Sequence, residues 1–134
     1  MIVVDASVLT NALTDDGPYG VRARAELGRD AHWAAPEHLR VEVFSAIRGR
    51  WLSGKITDGR ADEALAAVAA ATIDLLDTAA LFDRMWELRS NVSGYDAAYV
   101  ATAEAFRCAL VTADQRLAGS PGMRCPVVLA VPEP

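Results

Sequence analysis

The order of apolar segments along the chain predicts an α/β fold built on a mostly parallel sheet. Short apolar runs typical of buried strands alternate with longer segments whose apolar residues recur at helical spacing. This alternation favours parallel strands joined by helices that cover both faces of the sheet. The 134 residues contain no internal repeat, low-complexity segment or long linker, so we expect a single domain over residues 1–134.

The first half of the chain contains two predicted strands and three predicted helices. They are, in order, a strand over 2–5, a helix over 6–13, a helix from 18 to about 27, a strand over 32–35 and a helix over 37–52. Pro18 follows an Asp-Asp-Gly turn and suits the first turn of a helix, whereas Pro36 ends the second strand. In the third helix Val41, Phe44 and Trp51 fall at helical spacing, with Ile47 or Arg48 between them.

The second half continues the alternation. Its predicted elements are a helix over 58–71, a strand over 72–76, helices over 78–89 and 95–106, a strand over 109–112, a short helix over 113–118 and a strand over 127–131. We expect Asp58 to cap the first of these helices, because aspartate is a favoured N-cap residue.

Composition excludes several classes of protein. Apolar residues make up 52% of the chain and charged residues 23%, as in ordinary globular domains. No apolar run approaches the roughly 18 residues that span a bilayer, and no basic-then-apolar leader precedes Asp5, so we expect a cytoplasmic protein. Cys108 and Cys125 form no C-x-x-C pair and are expected to be reduced, and His32 and His38 do not match a zinc motif.

The net charge of −5 argues against nucleic-acid binding by bulk electrostatics. It leaves open binding through bound cations and a few local arginines. The basic residues are twelve arginines and Lys55. Arginine suits bidentate contacts with phosphate, but a biased genome accounts equally well for the imbalance.

Two acids follow the ends of predicted strands. Asp5 comes directly after the first strand, and Asp114 comes two residues after the strand over 109–112. Ligands of open parallel sheets bind at the carboxyl ends of strands, where the strand order reverses, so both acids are candidate site residues. Each also occupies a position where a helix cap is common, and that alternative stays open.

Two further acids lie on predicted helices. Glu42 is flanked by valines and has Ser45 on its own face of the helix, where a partly exposed glutamate is the simpler interpretation. Asp96 follows Ser93 at capping-box spacing, although Glu or Gln is more usual there. The face that follows it is apolar, so this helix end is expected to point into the fold. No dinucleotide-binding, P-loop or G-x-S-x-G motif competes with these acids.

Four segments carry a resemblance to a known family. They are VVDASVL at 3–9, VEVFSA at 41–46, YDAAYVA at 95–101 and LVTADQRL at 110–117. In this order and spacing, which span almost the whole chain, they resemble PIN domains, and more narrowly the VapC-type toxins of bacterial toxin–antitoxin pairs.

The resemblance implies a PIN-like three-layer α/β/α fold and a metal-dependent endoribonuclease. By position it makes Asp5, Glu42, Asp96 and Asp114 the catalytic, metal-binding acids, with Ser7 beside Asp5 and Thr112 close to the metal. Hard carboxylate oxygens suit Mg²⁺ or Mn²⁺. One departure is Ser45, where members often carry asparagine.

The resemblance also implies partners: an RNA substrate, a cognate VapB-type antitoxin that covers the active-site groove, and a second copy of the chain in a homodimer. Arg48 and Arg50 lie beyond Glu42 and are candidates for phosphate contact, or simply part of a solvated helix face. The alternative function is a PIN-like module that binds RNA or protein without cleaving. The presence of all four acids favours the enzyme.

Overall fold

The computed structural model describes residues 1–134 and has a five-stranded, all-parallel sheet at its centre. The strands are β1 (Ile2–Val4), β2 (Trp33–Pro36), β3 (Ile73–Leu76), β4 (Ala109–Thr112) and β5 (Val127–Leu129), in the spatial order β3-β2-β1-β4-β5. Each neighbouring pair is parallel. The predicted α/β class with a parallel sheet is therefore confirmed.

Seven helices connect the strands. They are α1 (Ala6–Thr14), α2 (Pro18–Leu27), α3 (Leu39–Leu52), α4 (Asp58–Ala70), α5 (Phe82–Glu87), α6 (Gly94–Phe106) and α7 (Gln115–Ala118). Helix α1 contacts α2, α3 and α4, whereas α6 contacts α5 and the central strands, so the helices form two groups. No helix has the length and apolar character needed to cross a membrane.

Burial of the central strands shows that helices cover both faces of the sheet. Successive residues of a strand point to opposite faces. Val3 and Val4 of β1 are both fully buried, and Leu110 and Val111 of β4 are nearly so. A sheet that is closed on both faces and flanked by two groups of helices is the expected three-layer arrangement.

The strand order reverses between β1 and β4. Connections from β1 run through β2 to β3 on one side, and the chain then crosses back to β4 and β5 on the other. Val4 is in register with Val111, and the Asp5 N–H donates to the Val111 carbonyl at 3.0 Å. The residues after β1 and β4 therefore meet at one edge of the sheet, where ligand sites form in such folds.

Several predicted element boundaries were wrong, each for a local reason. Thr57, not Asp58, caps α4, because its hydroxyl accepts the Arg60 N–H at 3.1 Å. The predicted helix over 78–89 is a 3-10 turn (Thr78–Leu81) followed by the short α5, and the Asp77 carboxylate caps that turn. Strand β5 ends earlier than predicted because its partner β4 ends at Thr112, opposite Leu129.

The apolar stripe identified on α3 faces outward. Val41, Phe44 and Trp51 are 71%, 54% and 46% exposed. The buried face of the helix is instead formed by Leu39, Val43 and Ile47. Because α3 carries apolar residues on two faces, the helical period alone does not identify the face that meets the core.

Arg50 joins the last turns of two helices. Its guanidinium donates to the Thr14 hydroxyl and to the Asn11 side-chain oxygen, both at 2.6 Å. Helix α1 begins beside Asp5 and rises about 1.5 Å per residue, so Thr14 lies roughly 13 Å from the carboxyl edge of the sheet. The geometry gives Arg50 a role in holding α3 against α1, remote from Asp5.

We expect Arg50→Gln to lower the free energy of unfolding by about 1–2 kcal/mol, because it removes two charge-assisted hydrogen bonds from a partly buried site. Arg48→Gln is the matched control on the same helix, since Arg48 is exposed and makes no side-chain hydrogen bond or ion pair, and it should change the free energy by less than about 0.5 kcal/mol. Urea denaturation followed by circular dichroism measures both, and equal effects would contradict this assignment.

Candidate functional site

Asp5 is a buried carboxylate at the end of β1, only 5% exposed. It occupies the N-cap position of α1 but makes no capping hydrogen bond. Its Oδ2 accepts instead from the Ser7 hydroxyl at 2.5 Å and from the Thr112 hydroxyl at 2.8 Å. The interpretation of Asp5 as a simple helix cap is therefore wrong.

The two hydroxyls are themselves oriented by the backbone. The Ala113 N–H donates to Ser7 Oγ, and the Asp114 N–H donates to Thr112 Oγ1, both at 3.0 Å. Each hydroxyl thus accepts from the segment after β4 and donates its proton to Asp5. This network fixes Asp5 to the β4 segment and leaves its Oδ1 free of these two donors.

Asp114 combines a capping role with a place beside Asp5. Its Oδ1 accepts from the backbone N–H groups of Arg116 and Leu117, at 2.9 and 3.3 Å, and so begins α7. Its charge also raises the pKa of Asp5. The predicted cap and the predicted site residue are therefore compatible, because one oxygen makes the cap.

Asp96 lies half-buried in the first turn of α6. Its N–H donates to Ser93 Oγ at 3.1 Å, which forms one half of the predicted capping box. Burial raises the pKa of the Asp96 carboxyl, and the charges of Asp5 and Asp114 raise it further. The Asp96 carboxylate is thus near enough to Asp5 and Asp114 for their charges to act on it.

Glu42 enters the same cluster from α3. Burial raises the pKa of its carboxyl; the Tyr99 hydroxyl opposes the shift, and the charges of Asp5 and Asp96 add to it. The charges of the four acids therefore act on one another across the carboxyl edge of the sheet. Like charges gathered in this way are costly without a cation.

Three buried polar atoms have no hydrogen-bond partner: Oε1 of Glu42 itself and two atoms near it, His38 Nε2 and Tyr99 Oη. His38 Nε2 lies 2.7 Å from Glu42 Oε1, but the angles are not those of a hydrogen bond. Burial lowers the pKa of His38 and raises that of Glu42, the opposite of what an ion pair would do. The contact between His38 and Glu42 is therefore not an ion pair.

His38 and Tyr99 were missed as site residues by the sequence reasoning, which treated His38 as an ordinary histidine. Their signal was helical spacing. His38 precedes Glu42 by four residues, and Tyr99 follows Asp96 by three, so each shares a helix face with an acid. The His38 ring packs edge-on against Tyr99, with 5.3 Å between ring centroids.

The donor set fits a hard divalent cation, although the side chains as positioned bring no three histidine, cysteine, aspartate or glutamate groups close enough to hold one. Four carboxylates offer only oxygen ligands, which suit Mg²⁺ or Mn²⁺ better than softer metals. Of the predicted substrate-binding residues, Arg50 contacts α1 and Arg48 borders a groove between α3 and α4. Neither approaches the acids through a hydrogen bond.

These features define a class: a parallel α/β domain with an acidic site where the strand order reverses. Comparison with known proteins agrees. The PIN domain family matches residues 2–120. Ribonuclease VapC9 of Mycobacterium tuberculosis is 38% identical over 131 residues, covering 96% of this chain and 98% of that protein. Ribonuclease VapC1 of the same organism is 37% identical, covering 95% and 96%.

The fold has a counterpart among solved structures. The crystal structure of Mycobacterium tuberculosis VapC20, described as a sarcin-ricin loop cleaving toxin, superposes with a TM-score of 0.70 at 18% identity, covering 98% of this chain and all of that one. The chain belongs to the PIN domain family, and the curated relatives named above are VapC ribonucleases. The resemblance stated from the four sequence segments is confirmed.

The raised pKa of Asp5 predicts how stability changes with pH in EDTA. As pH rises above the ordinary value of 3.8, the unfolded chain loses its Asp5 proton first, while the folded chain retains its own. Stability therefore falls through the window up to the folded pKa, by at most about 1.4 kcal/mol per pH unit. Asp5→Asn lacks this proton, so the wild type should lose stability relative to the variant as pH rises.

Urea midpoints of both proteins between about pH 4 and about pH 8 measure the difference. It combines the loss of the Asp5 titration with the lower pKa values that Glu42 and Asp96 take once the charge of Asp5 is removed. The opposite result would be a wild type that becomes more stable relative to Asp5→Asn as pH rises. It would show that the hydrogen bonds from Ser7 and Thr112 lower the pKa of Asp5 more than burial raises it.

Proposed function

We propose that this protein is an endoribonuclease toxin of the VapC type that uses Mg²⁺ or Mn²⁺ to cleave RNA phosphodiester bonds. The observation that carries the proposal is the position of Asp5, Glu42, Asp96 and Asp114 around the carboxyl edge of the sheet, where the strand order reverses and each acid is near enough to another for its charge to act. The relatives support it, because they are named ribonucleases over nearly their full length.

The four acids would hold the metal. A bound divalent cation supplies a more acidic water and neutralises charge on the phosphate. Two carboxylates about 4 Å apart repel by roughly 4 kcal/mol at an effective dielectric near 20, and the cation removes this cost. Because Asp5 Oδ2 is occupied by the Ser7 and Thr112 hydroxyls, its Oδ1 is the oxygen available for the metal.

Protons compete with the metal at this site. Burial raises the pKa values of Asp5, Glu42 and Asp96, so these carboxyls hold protons more tightly than exposed ones. Metal binding requires the ionised carboxylates and therefore releases protons. No histidine or serine nucleophile is needed in this proposal, in which Ser7 donates a hydrogen bond to Asp5.

Tyr99 and His38 would position Glu42. A ligating carboxylate commonly gives one oxygen to the metal and the other to a nearby donor. The Tyr99 hydroxyl is fully buried, lacks a partner and adjoins Glu42, whose Oε1 also lacks one. A rotation of the Glu42 carboxylate would pair the two atoms. We assign Tyr99 Oη as the donor that orients Glu42.

The proposed partners follow from the family. A cognate VapB-type antitoxin would neutralise the toxin, and two copies of the chain would form a homodimer in the cytoplasm. Exposed Phe44 and Trp51 line a groove between α3 and α4, an apolar surface of the kind that marks a protein-binding site. The alternative of a non-catalytic PIN-like module is disfavoured because all four acids are present.

RNA cleavage by the purified, antitoxin-free protein tests the function. An end-labelled structured RNA should be cleaved with Mg²⁺ or Mn²⁺, remain intact in EDTA and be cleaved again when metal is restored. Cleavage that survives thorough chelation would contradict the proposed metal-dependent mechanism.

We expect Asp96→Asn to lower the rate of RNA cleavage by orders of magnitude. The metal-free variant should keep or gain thermal stability, because the substitution removes one negative charge from the group of acids. Metal-induced stabilisation, about 2.7 kcal/mol at a hundred-fold excess over Kd for the wild type, should shrink. The control is Asp77→Asn, which removes the carboxylate that caps the 3-10 turn after β3 and none of the four acids, and it should leave cleavage unchanged. A variant that melts lower yet cleaves normally would make Asp96 a capping residue only.

We expect Tyr99→Phe to weaken Mn²⁺ binding about ten-fold, because loss of a donor behind a metal ligand typically costs ten- to a hundred-fold in affinity. Tyr95→Phe is the matched control: Tyr95 also packs edge-on against His38 but is exposed. Electron paramagnetic resonance of free Mn²⁺ reports binding without activity. Equal Mn²⁺ affinities of the two variants would contradict the positioning role of Tyr99.

A further inference from the structure

A polar cleft opens directly beside Asp96. Its walls come from the segment between α5 and α6 and from α7, and its volume is about 410 Å³. Besides Asp96, the polar side chains that line it are those of Arg89, Ser90, Asn91, Ser93, Arg116 and Ser120. The cleft contains two cationic side chains and one of the four acids, so it adjoins the proposed active site and differs from it in charge.

Arg116 is the cation at the boundary between the cleft and the acids. Its guanidinium is exposed and makes no hydrogen bond or ion pair. It lines the same cleft as Asp96. The backbone N–H of the same residue donates to Asp114, which fixes the start of α7 and hence the position from which the Arg116 side chain projects.

Most arginines of this chain are committed to other groups. Ion pairs or hydrogen bonds to acids, carbonyls or polar side chains occupy Arg22, Arg24, Arg40, Arg50, Arg60, Arg84 and Arg124. A chain of net charge −5 that leaves Arg116 unpaired beside a cluster of acids has a cation available for an external anion.

Arg89 is held at the other side of the cleft. Its guanidinium carbon lies 4.7 Å from the centroid of the Trp86 ring, and one N–H donates to the Trp86 carbonyl at 2.8 Å. The other N–H groups of this guanidinium make no hydrogen bond within the protein. Guanidinium groups bind phosphate oxygens through two parallel hydrogen bonds.

We propose that this cleft is an RNA phosphate subsite, in which Arg116 and Arg89 bind the backbone phosphates that flank the scissile one. The inference rests on the proposed ribonuclease function and adds the direction in which the RNA strand leaves the acids. Successive phosphates of a strand carry one charge each, so two cations that line a cleft beside Asp96 suit a backbone passing from the acids into the cleft.

The subsite is tested by RNA binding as a function of salt. The probe is a fluorescein-labelled structured RNA with 2′-O-methyl groups throughout, titrated with the full chain and followed by anisotropy in Mn²⁺. Each lost phosphate contact should lower the slope of log affinity against log salt by about 0.7, the value for single-stranded nucleic acid. Arg116→Gln and Arg89→Gln should each show this loss.

Arg107→Gln is the matched control. Arg107 is also exposed and unpaired, but it precedes β4 and therefore lies at the opposite edge of the sheet. Its variant should keep the wild-type salt slope. On cleavable RNA, Arg116→Gln should raise KM several-fold with kcat within about two-fold, the pattern of lost substrate binding. Mn²⁺ affinity, measured without RNA, should be unchanged.

The outcomes separate the two proposals. A wild-type protein that fails to cleave RNA with any divalent metal overturns the ribonuclease function. A wild type that cleaves, with salt slopes for Arg116→Gln and Arg89→Gln equal to its own, overturns the subsite alone. A change in Mn²⁺ affinity without a change in slope would likewise overturn it, since Arg116 would then act only by screening Asp96.

Discussion

The mutual repulsion of acids at one edge of the sheet is the constraint around which this protein is organised. Asp5 is almost completely buried, and burial alone would favour its neutral form. Glu42, Asp96 and Asp114 add negative charge nearby. A fold that holds these groups together needs specific donors for the most buried of them, and it needs a rigid scaffold that keeps the others from moving apart.

The hydroxyls of Ser7 and Thr112 supply those donors. Each is oriented by a backbone N–H of the segment after β4, so the position of Asp5 depends on the pairing of β1 with β4. That pairing places the start of α1 and the start of α7 side by side. The same arrangement leaves one oxygen of Asp5 free and one oxygen of Asp114 occupied by the α7 cap, so the local folding requirements and the metal-binding proposal use different atoms.

Much of the fold could be predicted because strands and helices alternate with clear boundaries. All five strands and the main helices were expected near their observed positions, since buried apolar runs and turn residues mark them locally. The errors have two sources. The cap at Thr57 in place of Asp58 and the division of the 78–89 segment depend on local hydrogen bonds that several nearby polar side chains could make. The outward direction of Phe44 and Trp51 depends on neighbours distant in the sequence.

The candidate site, like the fold, could be predicted from the sequence only in part. Asp5 and Asp114 were identified by their place after strands, and Ser7 and Thr112 by family resemblance. The hydrogen bonds that these four residues make explain their positions in the structure. Their catalytic role stays a prediction. Tyr99 and His38 escaped notice because their significance is three-dimensional: only the packing of α6 against the start of α3 brings the Tyr99 hydroxyl to Glu42. A tyrosine within an apolar helix face looks like core in any single sequence.

The distribution of arginine resolves a question that composition left open. Twelve arginines in an acidic chain suggested either phosphate binding or genome bias. In the structure most of them hold helices together or pair with acids, as Arg50 does with α1 and Arg84 with Glu104. Their abundance is therefore structural in large part and is no evidence of RNA binding. The few that remain unpaired carry the information, and Arg116 is the one that lies beside the acids. Specific position, and not the number of basic residues, is what allows a negatively charged protein to attract a negatively charged polymer.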